Sequence, residues 1–393
     1  MAQPLLYTYY DALAAATDFL GGNATSAAQG EIKRAIQAAY REINDIHDWK
    51  FLYKQGRVHL VAPYTTGTCT YDHSGGSTCE NQLTLTTGTW PSWAASGVVQ
   101  IGTENYFCHV AARKSDTVLQ LDPTLNPGED VSTASTYSIF KQWYDLPWDF
   151  SELSEVWTED SYKNAPILGW NDFEAVTKYN TETGTPDYYC VRPVQDLYGT
   201  MGLWIYPRAD AAGVIDFIYK RKPRQLRYSG WDANDTVGTI TVVAGNAGVT
   251  GSSTVFASRH VGSVLRVGSD STHIPTGLDG NYPFDDERII SAYTGATAVT
   301  LDTTITTSRS GVKYCLTDPI DLHPIVYTAF QRCVEKHLAI AKNMQNKAEV
   351  FAAYQDALFI AKNADCYTTP RQVAAHRPSP TTRLADYSVT DNM

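Results

Sequence analysis

Hydrophobic positions near the N-terminus repeat with the period of an α-helix. Between Glu31 and Leu52 the apolar residues stand three or four positions apart, at Ile32, Ala35, Ile36, Ala39, Ile43 and Ile46. This spacing places them on one face of a helix, and that face must be covered by another element. The opposite face is polar and carries Lys33, Arg34, Gln37, Arg41, Glu42 and Asp45. We therefore expect this helix to be the packing centre of the fold.

A second helical stripe lies at the far end of the chain. Its apolar positions run from Ile325 to Ala361, and Pro324 precedes them at a position where helices tolerate proline. An unbroken helix over 324–364 would be about 60 Å long, but the polar run at 342–347 predicts a bend. A shorter amphipathic helix is expected within residues 5–22. These segments predict a helical bundle made from both ends of the chain.

Between these helices the pattern changes to alternation, which is typical of β-strands. Short strands are predicted at 57–61, 82–85, 98–101, 106–110, 117–121 and 136–139. Together they indicate one β module, a small barrel or sandwich. The segment that follows is predicted to contain helices at 149–153 and 170–176 and strands at 202–207 and 214–219.

The β module occurs twice in the sequence. Landmarks of the first copy recur in the second copy in the same order and at a nearly constant offset. Thr68 corresponds to Thr239, Asp122 to Asp302, and the Asp-Leu pair that begins at Asp145 to the pair that begins at Asp321. An ordered series of this kind indicates a duplicated domain.

The predicted fold class is therefore α+β, with two homologous β modules inserted into a helical and mixed α/β body. The predicted segments are N-terminal helices at 1–56, β module 1 at 57–145, a central α/β body at 146–231, β module 2 at 232–320, a C-terminal helix at 321–366 and an extended tail at 367–393.

Composition narrows the function classes. The net charge of −11 argues against a conventional nucleic-acid binder, whose affinity comes from Lys and Arg on phosphates. The 25 Tyr and 9 Trp suit surfaces that are half buried against another molecule. Seven cysteines without a CxxC pair favour reduced, buried thiols. We expect neither a signal peptide nor a transmembrane span.

The sequence offers few residues that could catalyse a reaction or bind a cofactor or metal. No set of acid, base and nucleophile can be assembled, so we expect no enzyme, no cofactor and no metal site. The glycines within 245–251 lack the Gly-Lys-Ser/Thr ending of a phosphate loop and are interpreted as a hairpin turn. The run Asp285-Asp286-Glu287 is either a cation site or, in the interpretation we prefer, a solvated loop.

Three parts of the chain carry a resemblance to one known family. They are INDIHDWKF at 43–51, the body segments LPWDF at 146–150, GTPDY at 184–188 and LWIYP at 203–207, and YKRKPRQL at 219–226. The last is similar to the family's Tyr-Arg-Arg-Pro-x-x-Leu strand end. In these stretches the chain resembles the head-to-tail adaptor, or connector, proteins of short-tailed bacteriophages.

The resemblance implies a virion structural protein that forms a dodecameric ring beneath the portal protein. Such a ring extends the DNA ejection channel, encloses the genome without sequence-specific contacts, and joins the portal to the tail nozzle and tail fibres. The protein is then assembled in the host cytoplasm and located in the virion tail, without membrane contact. The family's C-terminal tails grip the portal.

On this basis we predict a set of residues that bind the portal or a neighbouring subunit: Trp49, Phe51, Tyr367, Arg371, Arg377, Arg383 and Tyr387. The alternative is a tail-associated receptor- or glycan-binding protein that uses the twin β modules. In that case exposed tryptophans would stack on sugars, whereas in an adaptor they would be core and interface anchors. The tryptophans concerned are Trp90, Trp93, Trp143, Trp148, Trp157 and Trp170.

Overall fold

The structure is a computed structural model that describes residues 7–22, 26–73, 80–104, 106–158, 166–177, 180–194, 200–229, 233–275 and 282–368. The chain divides into two compact units. Unit 1 comprises Met1–Phe51 with Pro223–Met393, and unit 2 comprises Leu52–Lys222. The fold is mixed α+β, and each unit contains one curled, seven-stranded antiparallel sheet.

Helices account for both ends of the described chain. They are α1 at Tyr9–Phe19, α2 at Ser26–Asp45, α3 at Trp170–Thr177, α4 at Tyr327–Ala341 and α5 at Lys347–Thr368. The predicted central helix is α2, which ends before Ile46, a stripe residue that is exposed. The stripe at 324–364 is interrupted at the polar run, where Asn343 has a left-handed φ of 51°. The predicted bend therefore separates α4 from α5.

The apolar stripes from the two chain ends meet inside unit 1. Ile32, Ile36 and Ile43 of α2 are fully buried, and α2 packs against α4. On α4, Phe330 and Leu338 are equally buried, and this helix also packs against α5. Each helix thus buries an apolar face of the other, and exposing that face to water would reduce the stability of the fold.

Unit 2 is built mainly from strands: β1 at Tyr53–Leu60, β2 at Cys69–Asp72, β3 at Gln82–Leu85, β4 at Gly97–Ile101, β5 at Cys108–Arg113, β6 at Val118–Leu121, β7 at Val131–Ser135, β8 at Tyr137–Lys141, β9 at Trp143–Asp145, β10 at Phe150–Thr158, β11 at Tyr188–Pro193, β12 at Met201–Tyr206 and β13 at Gly213–Arg221. They form the sheets β1-β13-β10 and β11-β12-β9 and the seven-stranded sheet β7-β2-β3-β6-β5-β4-β8. Strand β1, whose alternation suggested the first module, pairs along its length with β13 instead.

The helix predicted at 149–153 is wrong, because β10 occupies this segment. Strand β10 pairs with β13 through two register shifts, and Phe150 and Val156 are buried on that sheet. Tertiary pairing thus overrides the helical tendency of the Ser-Glu-Leu sequence. The helix predicted at 170–176 is confirmed as α3.

The second seven-stranded sheet lies in unit 1. Its strands are β14 at Thr239–Val242, β15 at Gly248–Ser252, β16 at Val264–Gly268, β17 at Phe284–Gly295, β18 at Ala298–Leu301, β19 at Arg309–Val312 and β20 at Tyr314–Thr317. Their order is β19-β14-β15-β18-β17-β16-β20, which reproduces the order of the first sheet strand for strand. This identity agrees with the duplication predicted from the sequence landmarks.

Both sheets contain the same hydrogen bond, from a tyrosine hydroxyl to the carbonyl that precedes a glycine with positive φ. In the first, the Tyr137 hydroxyl donates to the Thr66 carbonyl at 2.7 Å, just before Gly67 with its φ of 85°. In the second, the Tyr314 hydroxyl donates to the Val237 carbonyl at 3.0 Å, just before Gly238 with its φ of 89°. Positive φ is accessible to glycine without steric strain, so both copies retain it at this turn.

One equivalent position differs between the copies and joins the second sheet to helix α1. Gln100 of β4 and Arg266 of β16 each stand one residue before the partner of the equivalent tyrosine. Gln100 is partly exposed, whereas Arg266 is fully buried. Its guanidinium donates to both carboxylate oxygens of Asp11 in α1, at 2.7 and 2.8 Å, and to Glu287 at 2.7 Å.

The acidic run at 285–287 is not the solvated loop that we preferred, because it lies within β17. Asp285 pairs with Arg309 at 2.5 Å, Asp286 with Arg288 at 2.8 Å, and Glu287 with Arg266. Each of the three carboxylates therefore has an arginine partner, which Glu287 shares with Asp11, and this arrangement leaves no reason to place a cation there.

Replacing Arg266 should destabilise unit 1 strongly. Arg266→Met leaves Asp11 and Glu287 buried without their cation, and breaking a buried pair in this way costs about 3–5 kcal/mol. Urea unfolding measures the loss. The matched control is Gln100→Met at the equivalent, partly exposed position, where a change of about 0.5 kcal/mol or less is expected. Equal effects of the two substitutions would show that the buried ion pairs of Arg266 do not stabilise unit 1.

Candidate interaction sites

The predicted partner-binding residues occupy different environments. Trp49 is fully buried within unit 1, where its indole donates to the Ile43 carbonyl at 2.5 Å. Phe51 is half buried and stacks between Trp49 and His323, at ring distances of 6.1 and 5.9 Å. Trp49 is thus a core residue of its own chain, whereas Phe51 keeps part of its surface exposed. The side chain of Tyr367, and all of Arg371, Arg377, Arg383 and Tyr387, lie outside the described residues.

A charged cluster joins three helices at Glu42. The Lys336 ammonium contacts both Glu42 oxygens at 2.5 and 2.6 Å, and the Tyr354 hydroxyl donates to one of them at 2.8 Å. His337 lies 2.9 Å from the same carboxylate. The cluster therefore cross-links α2, α4 and α5, which explains why a carboxylate sits beside the helix core.

The same cluster has the ligand types of a metal site. Glu42, Cys333 and His337 place their ligand atoms within 4.8 Å of one another. Burial raises the pKa of the Cys333 thiol to about 12, so the thiolate that metals prefer is disfavoured. Lys336 already supplies the positive charge. The donor set therefore suits an internal ion pair better than a metal ion.

Acid should weaken this helix junction. Burial opposes it, but hydrogen bonds from Lys336 and Tyr354 hold the pKa of Glu42 below its ordinary value. Burial and Lys336 likewise lower the pKa of His337. Because the folded state binds fewer protons than the unfolded state, stability declines as the pH falls below about 6.5 for His337 and about 4.5 for Glu42.

We expect Glu42→Gln to reduce stability at neutral pH and to flatten the loss below about pH 4.5. Urea unfolding over a series of pH values measures both effects. Asp45→Asn, at the exposed end of α2, is the matched control and should leave the profile unchanged. A Glu42→Gln profile parallel to the wild-type curve would rule out this origin of acid sensitivity.

A cleft of about 440 Å³ in unit 2 gathers three tryptophans, and we call it the tryptophan cleft. Trp143, Trp170 and Trp204 line it. The Arg192 guanidinium lies 3.9 Å from the Trp170 ring and 5.3 Å from the Trp204 ring. Phe173 stacks near Trp170 at 6.1 Å. The flat faces of Trp170 are therefore largely occupied by side chains of its own unit.

Polar groups complete the tryptophan cleft. His109, Asp122, Gln142 and Glu174 line its walls. Burial and the nearby Arg208 lower the pKa of His109, which favours a neutral imidazole. Groups of both charge signs with aromatic rings suit a small polar ligand better than a polyanion.

The tryptophans outside this cleft differ in exposure. Trp90 is buried in the first seven-stranded sheet, whereas Trp148 is 83% exposed.

A second cleft, the cationic groove, lies in unit 1 and has a volume of about 530 Å³. Its walls include Gln37, Tyr40 and Arg41 of α2 and Arg224, Gln225 and Tyr228 of the segment after β13. The Tyr40 hydroxyl donates to the Arg224 carbonyl at 2.7 Å, which ties the two walls together. None of the described residues that line the groove is a carboxylate.

Helix α5 exposes apolar side chains on the side away from its buried stripe, and we call this side, with Phe359 and Ile360, the α5 outer face. Val350, Tyr354 and Leu358 are buried, whereas Phe359 and Ile360 are each 67% exposed. Phe351, 48% exposed, lies on the opposite flank of the helix from Ile360. Helical spacing predicts Phe351 within the buried stripe, and this prediction is wrong. Several large apolar side chains exposed on one helix are typical of an interaction surface.

The sequence by itself points to the α5 outer face, but it does not show that the residues of the cationic groove lie together. Helix α5 is apolar at more positions than one buried stripe requires, since Phe359 and Ile360 fall outside the spacing of its buried residues. The basic residues of α2 and of the segment after β13, by contrast, are far apart in sequence. Only the fold brings them into one groove.

No protein-family model matches this sequence, and no curated protein matches it either. Among the helices that the structure describes, none combines the length and the apolar character needed to cross a membrane.

Proposed function

We propose that this chain is a ring-forming head-to-tail adaptor of a short-tailed bacteriophage, joining the portal to the tail nozzle and fibres. The observation that supports this proposal best is the α5 outer face, where Phe359 and Ile360 remain exposed. A monomeric protein rarely leaves such residues uncovered on one helix, whereas a subunit of a permanent assembly buries them against its neighbour.

The sequence stretches that resemble adaptor proteins also pack in a way that supports the proposal. Asp149, from the LPWDF stretch, accepts hydrogen bonds from Tyr219 at 2.9 Å and from Lys54 at 2.7 Å. The Phe150 and Tyr219 rings stack at 5.7 Å. Two of the resembling stretches are thus held together in unit 2, as parts of one architectural pattern would be.

The helices suit a scaffold for assembly. In the proposed adaptor they form a helical bundle from both ends of the chain, centred on the α2–α4 contact and locked by Trp49. The proposed tail at 367–393 grips the portal through Arg371, Arg377, Arg383 and Tyr387. The net charge of −11 suits a channel lining that repels DNA phosphates and leaves the genome mobile.

The test removes the apolar surface without touching the core. Phe359→Ser with Ile360→Ser should abolish ring formation when the protein is mixed with portal rings of the same virus, because the interface loses its main apolar area. Negative-stain electron microscopy detects the rings. The double variant should fold normally by circular dichroism, since both side chains are exposed in the monomer.

The matched control replaces exposed valines elsewhere in unit 1. Val243 is 55% exposed and Val255 is 51% exposed, and neither lies on α5. Val243→Ser with Val255→Ser should leave ring formation intact. Failure of the wild-type protein to form a ring or to bind the portal at all would reject the adaptor function.

Glycan binding is the second candidate, because the tryptophan cleft combines aromatic rings with hydrogen-bonding groups. We rank it below the adaptor, since Arg192 covers the Trp170 ring that a sugar would use. The full-length protein on a glycan array tests it. Binding that is lost in Trp143→Ala and unchanged in Trp148→Ala would favour the second candidate, whereas no binding to any glycan would eliminate it.

A further inference from the structure

The cationic groove contains two exposed arginines without an ion pair inside the described part of the chain. Several other exposed arginines are paired, as in Arg57 with Asp216 at 2.6 Å and Arg259 with Asp235 at 2.7 Å. None of the ion pairs among the described residues involves the guanidinium of Arg41 or Arg224, and both residues are exposed. Two positive charges beside a cleft therefore remain to be neutralised from outside.

The walls of the groove are fixed before any partner arrives. Besides the Tyr40 contact, the Arg224 amide donates to the Asp321 carboxylate at 3.1 Å. The Lys33 ammonium lies 4.1 Å from the centre of the Tyr228 ring. The backbone that carries Arg224 is thus anchored on both its amide and its carbonyl. A groove held in place in this way binds a partner with little ordering cost.

The α5 outer face carries the opposite charge. Glu349 and Asp356 are exposed, and no described ion pair involves them. They stand two helical turns apart, a rise of about 10 Å along the same side of the helix. Ile360 continues this side by one more turn, and Phe359 lies beside it. The outer face is therefore an apolar surface with an acidic edge.

These two surfaces complement each other in charge and in apolar character. The groove offers Arg41 and Arg224 together with the rings of Tyr40 and Tyr228, and the outer face offers Glu349 and Asp356 together with its apolar side chains. The two surfaces share no residue. An interface between different surfaces of identical subunits is heterologous and repeats from copy to copy, and it closes into a ring when the rotation permits.

We propose that the α5 outer face of one copy of this chain docks into the cationic groove of the next, with Glu349 and Asp356 opposite Arg41 and Arg224. This inference rests on the proposed function and specifies the subunit contact of the ring. A second copy is favoured over nucleic acid because a net charge of −11 repels a polyanion, and only a few cations line the groove.

The test is a charge swap between subunits. The groove variant carries Arg41→Glu with Arg224→Glu, and the helix variant carries Glu349→Lys with Asp356→Lys. Each variant alone places like charges across the interface, so self-association should weaken by about tenfold or more. An equal mixture of the two should recover assembly, because each altered surface then meets a surface of opposite charge.

Assembly is measured by analytical ultracentrifugation of the protein alone and in the presence of portal rings. Circular dichroism establishes that both variants are folded. Arg41→Gln with Arg224→Gln is the milder variant and should weaken association less than the reversal. The matched control, Asp18→Lys, reverses an exposed charge on α1, which belongs to neither surface, and should associate like the wild type.

The outcomes separate this inference from the function on which it rests. If the wild type fails to assemble both alone and on the portal, the proposed function fails. If the wild type assembles and both reversed variants assemble equally well, the contact proposed here is wrong and the adaptor function stands. A groove variant that assembles normally but loses affinity for double-stranded DNA would identify the groove as a nucleic-acid site and also overturn the proposal.

Discussion

The buried guanidinium of Arg266 is the constraint on which unit 1 depends. It binds Asp11 through two hydrogen bonds and Glu287 through a third, with all three side chains removed from solvent. Asp11 also accepts from the Thr8 amide at 2.9 Å and so caps α1. One carboxylate therefore fixes both the start of the first helix and its position on the second seven-stranded sheet. Burial opposes a charge here, yet the two carboxylates hold the pKa of Arg266 above its ordinary value.

The duplicated sheets illustrate how a repeated architecture acquires different partners. The strand order is the same in both copies, and so is the tyrosine that closes the glycine turn. The cores differ in detail, since Trp90 packs on Tyr137 at 5.0 Å where Phe256 packs on Tyr314 at 5.6 Å. The outer faces differ too, because Arg266 binds Asp11 of α1 at a position where the first sheet has Gln100. The two sheets thus share their strand order and differ in what one of them binds on its outer face.

The interaction surfaces are distinguished by charged side chains that have no ion-pair partner among the described residues of the unit. Most charges in the described part of unit 1 are neutralised within the unit, as the cluster around Glu42 shows. The exceptions include Arg41 and Arg224 in the cationic groove and Glu349 and Asp356 on the α5 outer face, and these two pairs are of opposite sign. Large apolar side chains are exposed as well, above all Phe359 and Ile360 of α5. These groups are the basis of the assembly that we propose.

The sequence by itself determined the elements whose signal is local or repeated. Helical spacing placed α2 and the broken α4–α5 pair, and ordered landmarks indicated the two β modules, because side-chain period and turn residues are encoded along the chain. Tertiary structure decided the rest. It turned the 149–153 segment into a strand by pairing it with β13, buried Trp49, and matched each residue of the acidic run with an arginine. It also joined Arg41 to Arg224 in one groove, because a contact between residues so distant in sequence leaves no periodic trace in either segment.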